Sequence, residues 1–277
     1  MDAKLKKLLT EIALGTQHVT VLTGSGISSE SNIPTFRGAE GLGSVGGREY
    51  KPHQLATRKM FEKNPDDIWR WYLYRRGVCR SASPNPGHRS LVEIERLFQN
   101  RFTLITQNAD DLHFRAGNSR KNTFEVHGNL FYMRCYRDCT SEIYPIPEGV
   151  SDKTKNDALT EAERHLLSCP VCGGPARPHV LWFDETYNEE YYHYLSVLRL
   201  ARKTRLLIVV GTSGSTNLPV LIAQTVQRRG GVIIDINIHV TPFSYLADAT
   251  GGFFIQETSS VALPAIYKTV NEAVNLY

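Results

Sequence analysis

Four of the five cysteines stand as two close pairs, Cys135/Cys139 and Cys169/Cys172, with three and two residues inside the pairs and 29 between them. Two short-spaced pairs on separate knuckles suit a tetrahedral four-thiolate zinc. Gly173-Gly174 permits the tight turn that the second knuckle needs. Four thiolates leave no open coordination position, so such a site is structural. Cys79 stands alone and reads as a buried helix cysteine. A second constellation follows the apolar run Val19–Thr23, where Gly24-Ser25-Gly26-Ile27 brings flexible backbone to a helix start. Such a turn donates N–H groups to a pyrophosphate. The dehydrogenase form of that fingerprint is incomplete here. Position 29 is serine, and no acidic residue closes a second strand about 20 residues on. His127, Asp110 and Asn108 are polar groups suited to proton transfer and amide recognition. Singly they would read as a structural histidine, a helix cap and a turn residue.

These residues need a scaffold. Val19–Thr23, 102–106, 206–210, 232–237 and 252–255 read as strands. Ile68, Trp71, Tyr72 and Arg75 fall at helical spacing within 66–76, and 88–98 and 218–229 read as further helices. Pro84, Pro86 and Gly87 break the first of these. Pro34, Gly38, Gly41, Gly43, Gly46 and Gly47 make the stretch after the cofactor turn loop-like. Apolar strands alternating with helices imply an α/β fold, a Rossmann-like parallel sheet with helices on both faces. The cysteine pairs add a small zinc-binding module and the aromatic helix a helical insertion. The expected division is a discontinuous Rossmann-like domain (1–44, 84–128 and 178–277), a helical insertion (45–83) and a zinc module (129–177).

Hydrophobic residues make up 41% and charged residues 22% of 277, ordinary for a soluble globular chain. A net charge of +4 gives no ground for a nucleic-acid partner. The clusters Arg75/Arg76/Arg80 and Arg202/Lys203/Arg205 read as solvated helix faces and loop ends. No apolar run approaches the ~20 residues of a membrane span. The N-terminus lacks a secretory core and reads as an amphipathic helix. The cysteine pattern argues against a secreted disulfide framework. The expectation is a cytoplasmic monomer.

Taken together, several segments resemble the sirtuins, in matching order from about Val19 to Pro264. These are Gly24–Ser28 with Ile33–Gly38, Thr106–Asp110 with Leu112-His113 and Arg115-Ala116-Gly117, Glu125–Gly128, the cysteine pairs, Arg177–Glu185, Gly211-Thr212-Ser213 and Asn237. The resemblance implies NAD as cosubstrate, bound by Gly24, Ser25, Gly26, Ile27, Phe36, Arg37, Gln107, Asn108, Asp110, Gly211, Thr212, Ser213 and Asn237. Asp110 would hold the nicotinamide carboxamide, Gln107 and Asn108 its ribose, and Ser213 and Asn237 the adenosine end. Phe36 would shield the anomeric carbon and Arg37 neutralise phosphate. His127 would be the general base, with Asn108 the other catalytic residue. Val180, Trp182, Phe183, Asp184 and Glu185 would form the substrate strand for acyl-lysine proteins or peptides. His113 is left structural. The implied reaction moves an acyl group from lysine to ADP-ribose and frees nicotinamide. The alternative is an NAD glycohydrolase or ADP-ribosyltransferase on the same scaffold.

Tyr72 and Arg75 resemble the pair that binds a distal carboxylate in the desuccinylase-type subclass, with Ala39 widening the pocket. Read alone, they would be a core tyrosine and a surface charge. The chain departs from the family pattern at Ser25, Asn32 (a usual glycine), Ala109 (a usual isoleucine), Asp184 (a usual glycine) and Gly214.

Overall fold

A computed structural model describes residues 2–34, 43–45, 48–50 and 52–276. Its strands are β1 (His18–Thr23), β2 (Gly43–Val45), β3 (Arg48–Tyr50), β4 (Phe102–Thr106), β5 (Thr123–Glu125), β6 (Gly128–Cys135), β7 (Ile143–Pro145), β8 (Ala176–Val180), β9 (Thr204–Val210), β10 (Val232–Ile236) and β11 (Phe253–Ile255). The main sheet runs β11-β10-β9-β1-β4-β5 and all its pairings are parallel.

Strands β1, β4, β9 and β10 are buried along nearly their whole length, as a sheet covered on both faces requires. Alternate residues feed two cores. Val19, Val21, Leu104, Ile208 and Ile234 pack with the helices Ala3–Leu14, Pro86–Phe98 and Ser259–Leu276. Leu22, Ile105, Leu207, Val209 and Ile233 pack with Tyr194–Lys203, Asn217–Arg228 and Pro242–Ala249. From β1 the chain builds outward through β4 to β5, then returns to the other side of β1 as β9 and continues to β11. The order therefore reverses between β1 and β9. Ligands of open α/β sheets bind at such a switch point, outside the carboxyl ends of the strands.

A third core joins the helix Pro65–Ser81 to the antiparallel sheet β7-β6-β8 through Ile68, Trp69, Trp71, Tyr72, Leu73, Leu130, Met133, Ala176 and Trp182. Two expectations need correction. Gly43 lies in a strand, because β2 pairs with β3 in an antiparallel hairpin. Pro84, Pro86 and Gly87 separate two helices as expected, the first ending at Ser81 and the second opening at Pro86. Proline fits the first turn, and the Asn85 side chain accepts from Gly87 and His88 N–H groups as N-cap. Arg76 is buried, not solvated. Its guanidinium bonds Asp152 at 2.5 Å and the Val150 carbonyl at 2.6 Å, tying the insertion to the cysteine module. Arg202, Lys203 and Arg205 are exposed, as expected.

A candidate active site at the strand switch point and a four-cysteine centre

The turn after β1 and the turn after β9 touch at the switch point. Gly24 N–H donates to the Val210 carbonyl at 2.9 Å and Gly26 N–H to the Gly211 carbonyl at 2.8 Å. A Cβ on Gly26 would stand 2.6 Å from the Gly211 Cα, and Gly211 itself has φ of +59°. Side chains are excluded from both loops by this approach, which leaves their backbone lining the crevice. The helix Ser25–Ser29 begins there, with Ser25 exposed and Ile27 buried. Asn85 steadies it, its amide donating to the Ile27 carbonyl at 2.7 Å and to Ser31 Oγ at 3.0 Å.

The segment after β4 supplies the polar floor. Asn108 donates through Nδ2 to the Gly24 carbonyl (3.1 Å) and to Ser28 Oγ (3.0 Å). Ser28 Oγ donates to Asp110 Oδ2 at 2.6 Å, and Leu112 N–H donates to Oδ1 at 2.9 Å. Asn108 and Asp110 are both buried. Burial raises the Asp110 carboxyl above its ordinary range, against the pull of Ser28 and Leu112. Gln107 donates to Thr212 Oγ1 at 2.9 Å and accepts from Thr216 at 3.2 Å, linking the β4 and β9 loops. Ser213 is exposed beside Ser215 (2.5 Å), and Asn237 Nδ2 donates to the Thr212 carbonyl at 3.0 Å.

His127 enters on the turn between β5 and β6. Val126 N–H bonds the Thr106 carbonyl and Leu130 N–H the Ala109 carbonyl, so the turn lies along 106–109. Gly128 has φ of +79°, and a Cβ there would fall 2.1 Å from the His179 carbonyl. This glycine lets β8 close against the histidine. The imidazole is half-buried, bonds Tyr187 Oη through Nε2 at 2.7 Å and makes a backbone hydrogen bond to Gln107. Burial lowers its pKa to about 4. It is neutral at physiological pH and able to accept a proton. His113 is buried against Thr23 Oγ1 at 3.0 Å, the structural place expected for it.

The residues read as a substrate strand are placed differently from one another. Val180 pairs with Gly128 at the end of β8. Trp182 is wholly buried, its indole N–H donating to Tyr72 Oη at 3.0 Å with the Arg177 guanidinium over its ring. Glu185 is held by Arg177 and by the Trp182 N–H. Asp184 turns to the helix Arg58–Lys63, accepting from the Arg58 N–H at 2.8 Å and the Lys59 N–H at 3.2 Å. Phe183, an apolar side chain, is 57% exposed. Tyr72 is buried and Arg75 half-buried, with the Arg75 charge acting on Tyr72 and Asp110 and lying over the Trp71 ring. Arg115 donates to the Cys79 and Ala82 carbonyls and so caps the helix Pro65–Ser81. Phe36, Arg37 and Ala39 lie outside the described residues. Asn32 adopts φ of +62°, a left-handed conformation that asparagine tolerates nearly as glycine does.

Sequence reading passes over Ser28, Asn85, Thr216 and Tyr187. Asn85 carried a signal in the Asn-Pro pair of an N-cap and first-turn proline. Tyr187 carried none, because its partner is 60 residues away.

The four cysteine sulfurs lie within 4.8 Å of one another, with Cys135–Cys172 at 3.7 Å and Cys139–Cys169 at 3.6 Å. Thiolates about 2.3 Å from one zinc in a tetrahedron stand roughly 3.8 Å apart, so the cluster fits the ion. These distances are far beyond a disulfide bond. Gly173, at φ of +65°, closes the second knuckle by donating to the Cys169 carbonyl at 2.9 Å. Cys79 is buried, as expected, and burial pushes its thiol up to about 12. Among the described residues no helix is long and apolar enough to cross a membrane.

Comparison with known proteins agrees with this geometry. The Sir2 family profile matches residues 24–217. A protein of Leptospira interrogans serovar Lai, named an NAD-dependent protein deacylase, is 39% identical over 96% of this chain and 98% of its own length. One of Aquifex aeolicus with the same name is 36% identical, over 92% and 96%. Among solved structures, a Sir2 homologue in complex with NAD superposes with a TM-score of 0.81 at 33% identity, covering 99% of this chain and 95% of the other.

Proposed function

The chain belongs to the Sir2 family, and from that premise we propose that it is an NAD-dependent protein-lysine deacylase with a preference for succinyl and malonyl groups. The observation that carries the reading is the half-buried His127, hydrogen-bonded to the backbone of Gln107, whose own strand-end segment carries Asn108 and Asp110. NAD supplies an electrophilic ribose carbon and nicotinamide as the leaving group. Asp110 holds the carboxamide in a buried pocket, where Ser28 and Leu112 fix the carboxyl. Gln107 and Asn108 take the ribose. The glycine turns of Gly24–Ile27 and Gly211-Thr212, with Ser213 and Asn237, take the phosphates and adenosine end. Phe36 and Arg37 complete this set. His127 accepts the proton of a ribose hydroxyl as the acyl group is transferred. The four thiolates hold zinc structurally, since no coordination position remains open.

The acyl preference rests on Tyr72 and Arg75. They lie one helical turn apart, and the Arg75 charge acts on both Tyr72 and Asp110. A distal carboxylate there meets a guanidinium in partly desolvated surroundings, with Ala39 assigned to widen the pocket. Such a contact is worth ~1.5–3 kcal/mol, or roughly one to two decades in kcat/KM. The glycohydrolase alternative gains nothing from the departure at Asp184, whose carboxylate is committed to a helix N-terminus.

The test is a panel of acyl-lysine peptides with product analysis. Succinyl-lysine should exceed acetyl-lysine and yield O-acyl-ADP-ribose. Arg75→Met should erase the difference by weakening the succinyl substrates alone. An acetyl preference, or an equal loss on both, removes the acidic-acyl reading. Free ADP-ribose without an acyl peptide removes the deacylase.

A further inference from the structure

Tyr187 lies two residues beyond Glu185, on the segment that leaves β8. Its ring packs between His127 (centroids 5.8 Å apart) and Tyr194 (6.3 Å), against the core that includes Leu22, Ile105 and Val126. Its hydroxyl is 2.7 Å from His127 Nε2. The backbone hydrogen bond between His127 and Gln107 assigns the ring proton to the other nitrogen, facing a carbonyl. Nε2 is then an acceptor with one lone pair, and the phenol is its donor. Thr216, whose hydroxyl donates to Gln107 Oε1 at 3.2 Å, also neighbours Tyr187, so the tyrosine lies close to the ribose-side glutamine.

We infer that Tyr187 is a positioning residue for His127, whose hydroxyl holds Nε2 in the ligand-free protein at the place a ribose hydroxyl of NAD must take. Binding NAD exchanges one hydroxyl for the other. The inference rests on the deacylase reading only in assigning the NAD ribose to His127. One lone pair cannot accept from both hydroxyls at full strength, so the two compete. The phenol is suited to this because burial raises it to about 12, which keeps it protonated and a donor at neutral pH. The aromatic packing keeps the ring in place when the hydroxyl is displaced. Tyr187 therefore holds Nε2 in place before the cosubstrate arrives and lowers affinity for it.

Tyr187→Phe removes the hydroxyl and keeps the ring. In the full-length zinc-loaded protein, calorimetry should show NAD bound roughly two- to tenfold more tightly, the range of one neutral hydrogen bond. KM for NAD should fall in proportion while kcat changes little. The 15N resonance of His127 Nε2 should move toward that of an unbonded imidazole nitrogen, at unchanged Tm. NAD affinity that is unchanged or weaker overturns the inference, as does an unmoved Nε2 resonance. A fall in kcat at constant KM also overturns it, because Tyr187 would then act during the reaction. A wild type that binds NAD but deacylates no peptide defeats the proposed function, while the affinity and resonance comparison still decides the role of Tyr187.

Discussion

Burial keeps the His127 imidazole neutral, lowering its pKa to about 4 where an exposed one would titrate near 6.5, and this residue is the proposed base. Replacing it by alanine should cut deacylation by roughly 10²-fold or more, the usual scale for losing a general base. NAD binding and thermal stability should be retained, and wild-type turnover in His127→Ala would remove the assignment. Two residues earlier, burial raises Glu125 to about 8, with Asn129 donating to it at 2.7 Å. The folded state therefore keeps its proton at pH 7, while the unfolded chain, with a pKa near 4.5, has lost it. The unfolded state binds fewer protons across that interval, so this group makes stability fall as pH rises from about 4.5 through 8. Glu125→Gln keeps the acceptor for Asn129 without the titration. Its stability advantage over wild type should grow through that window and level off above it, measured by denaturant midpoints at successive pH. A constant difference would show that Glu125 does not titrate there. The glycine turns, Asn108, Asp110 and His127 were legible in sequence because local segments carry them in a recognisable order. The Tyr187 contact was not, since nothing in local spacing joins positions 60 residues apart.

At the scale of elements, strands were read more accurately than helix boundaries. The buried runs of β1, β4, β9 and β10 are continuous apolar stretches, and nothing else in the chain competes with them. Edge strand β5 and the helix Ser259–Leu276 carry weak sequence signals, the first for its shortness and the second for an internal Pro264. Asp184 shows why a departure from a family pattern needs its three-dimensional partner. In sequence it is a charged residue where the family has glycine; in the fold it satisfies two N–H groups of the helix Arg58–Lys63, beside the Thr57 cap that accepts from Met60 at 3.1 Å. Asp184→Ala should cost about 1 kcal/mol of stability, the typical loss of an N-terminal cap. Asp184→Asn, which still accepts, should recover most of it. Equal stability of all three proteins by urea unfolding would mean that the contact contributes nothing.

Across the whole molecule, the cysteine centre and the reactive histidine are mechanically joined. Cys135 ends β6, and Gly128, next to His127, begins it. Strand β8 pairs with both ends, Ala176 opposite Cys135 and Val180 opposite Gly128, and Leu181 N–H bonds the His127 carbonyl at 3.0 Å. The same two strands pack in the Tyr72–Trp182 core, and the loop that follows β7 holds the buried Arg76 through Asp152 and Val150. The parallel sheet, by contrast, is built from the two cores on its own faces and does not draw on the cysteines. Losing the metal should therefore loosen the three-stranded sheet and displace His127 before it unfolds the NAD-side sheet, because metal binding and local folding are coupled. Wild-type protein should carry one zinc per chain by elemental analysis. Cys169→Ser should lose it together with most deacylase activity, and should melt in two steps, the earlier one absent from the zinc-loaded wild type. NAD binding should survive the first step. Carefully purified protein without zinc would refute the metal assignment. A metal-free variant melting in one step, with NAD binding lost at the same temperature, would refute the mechanical separation of the two sheets.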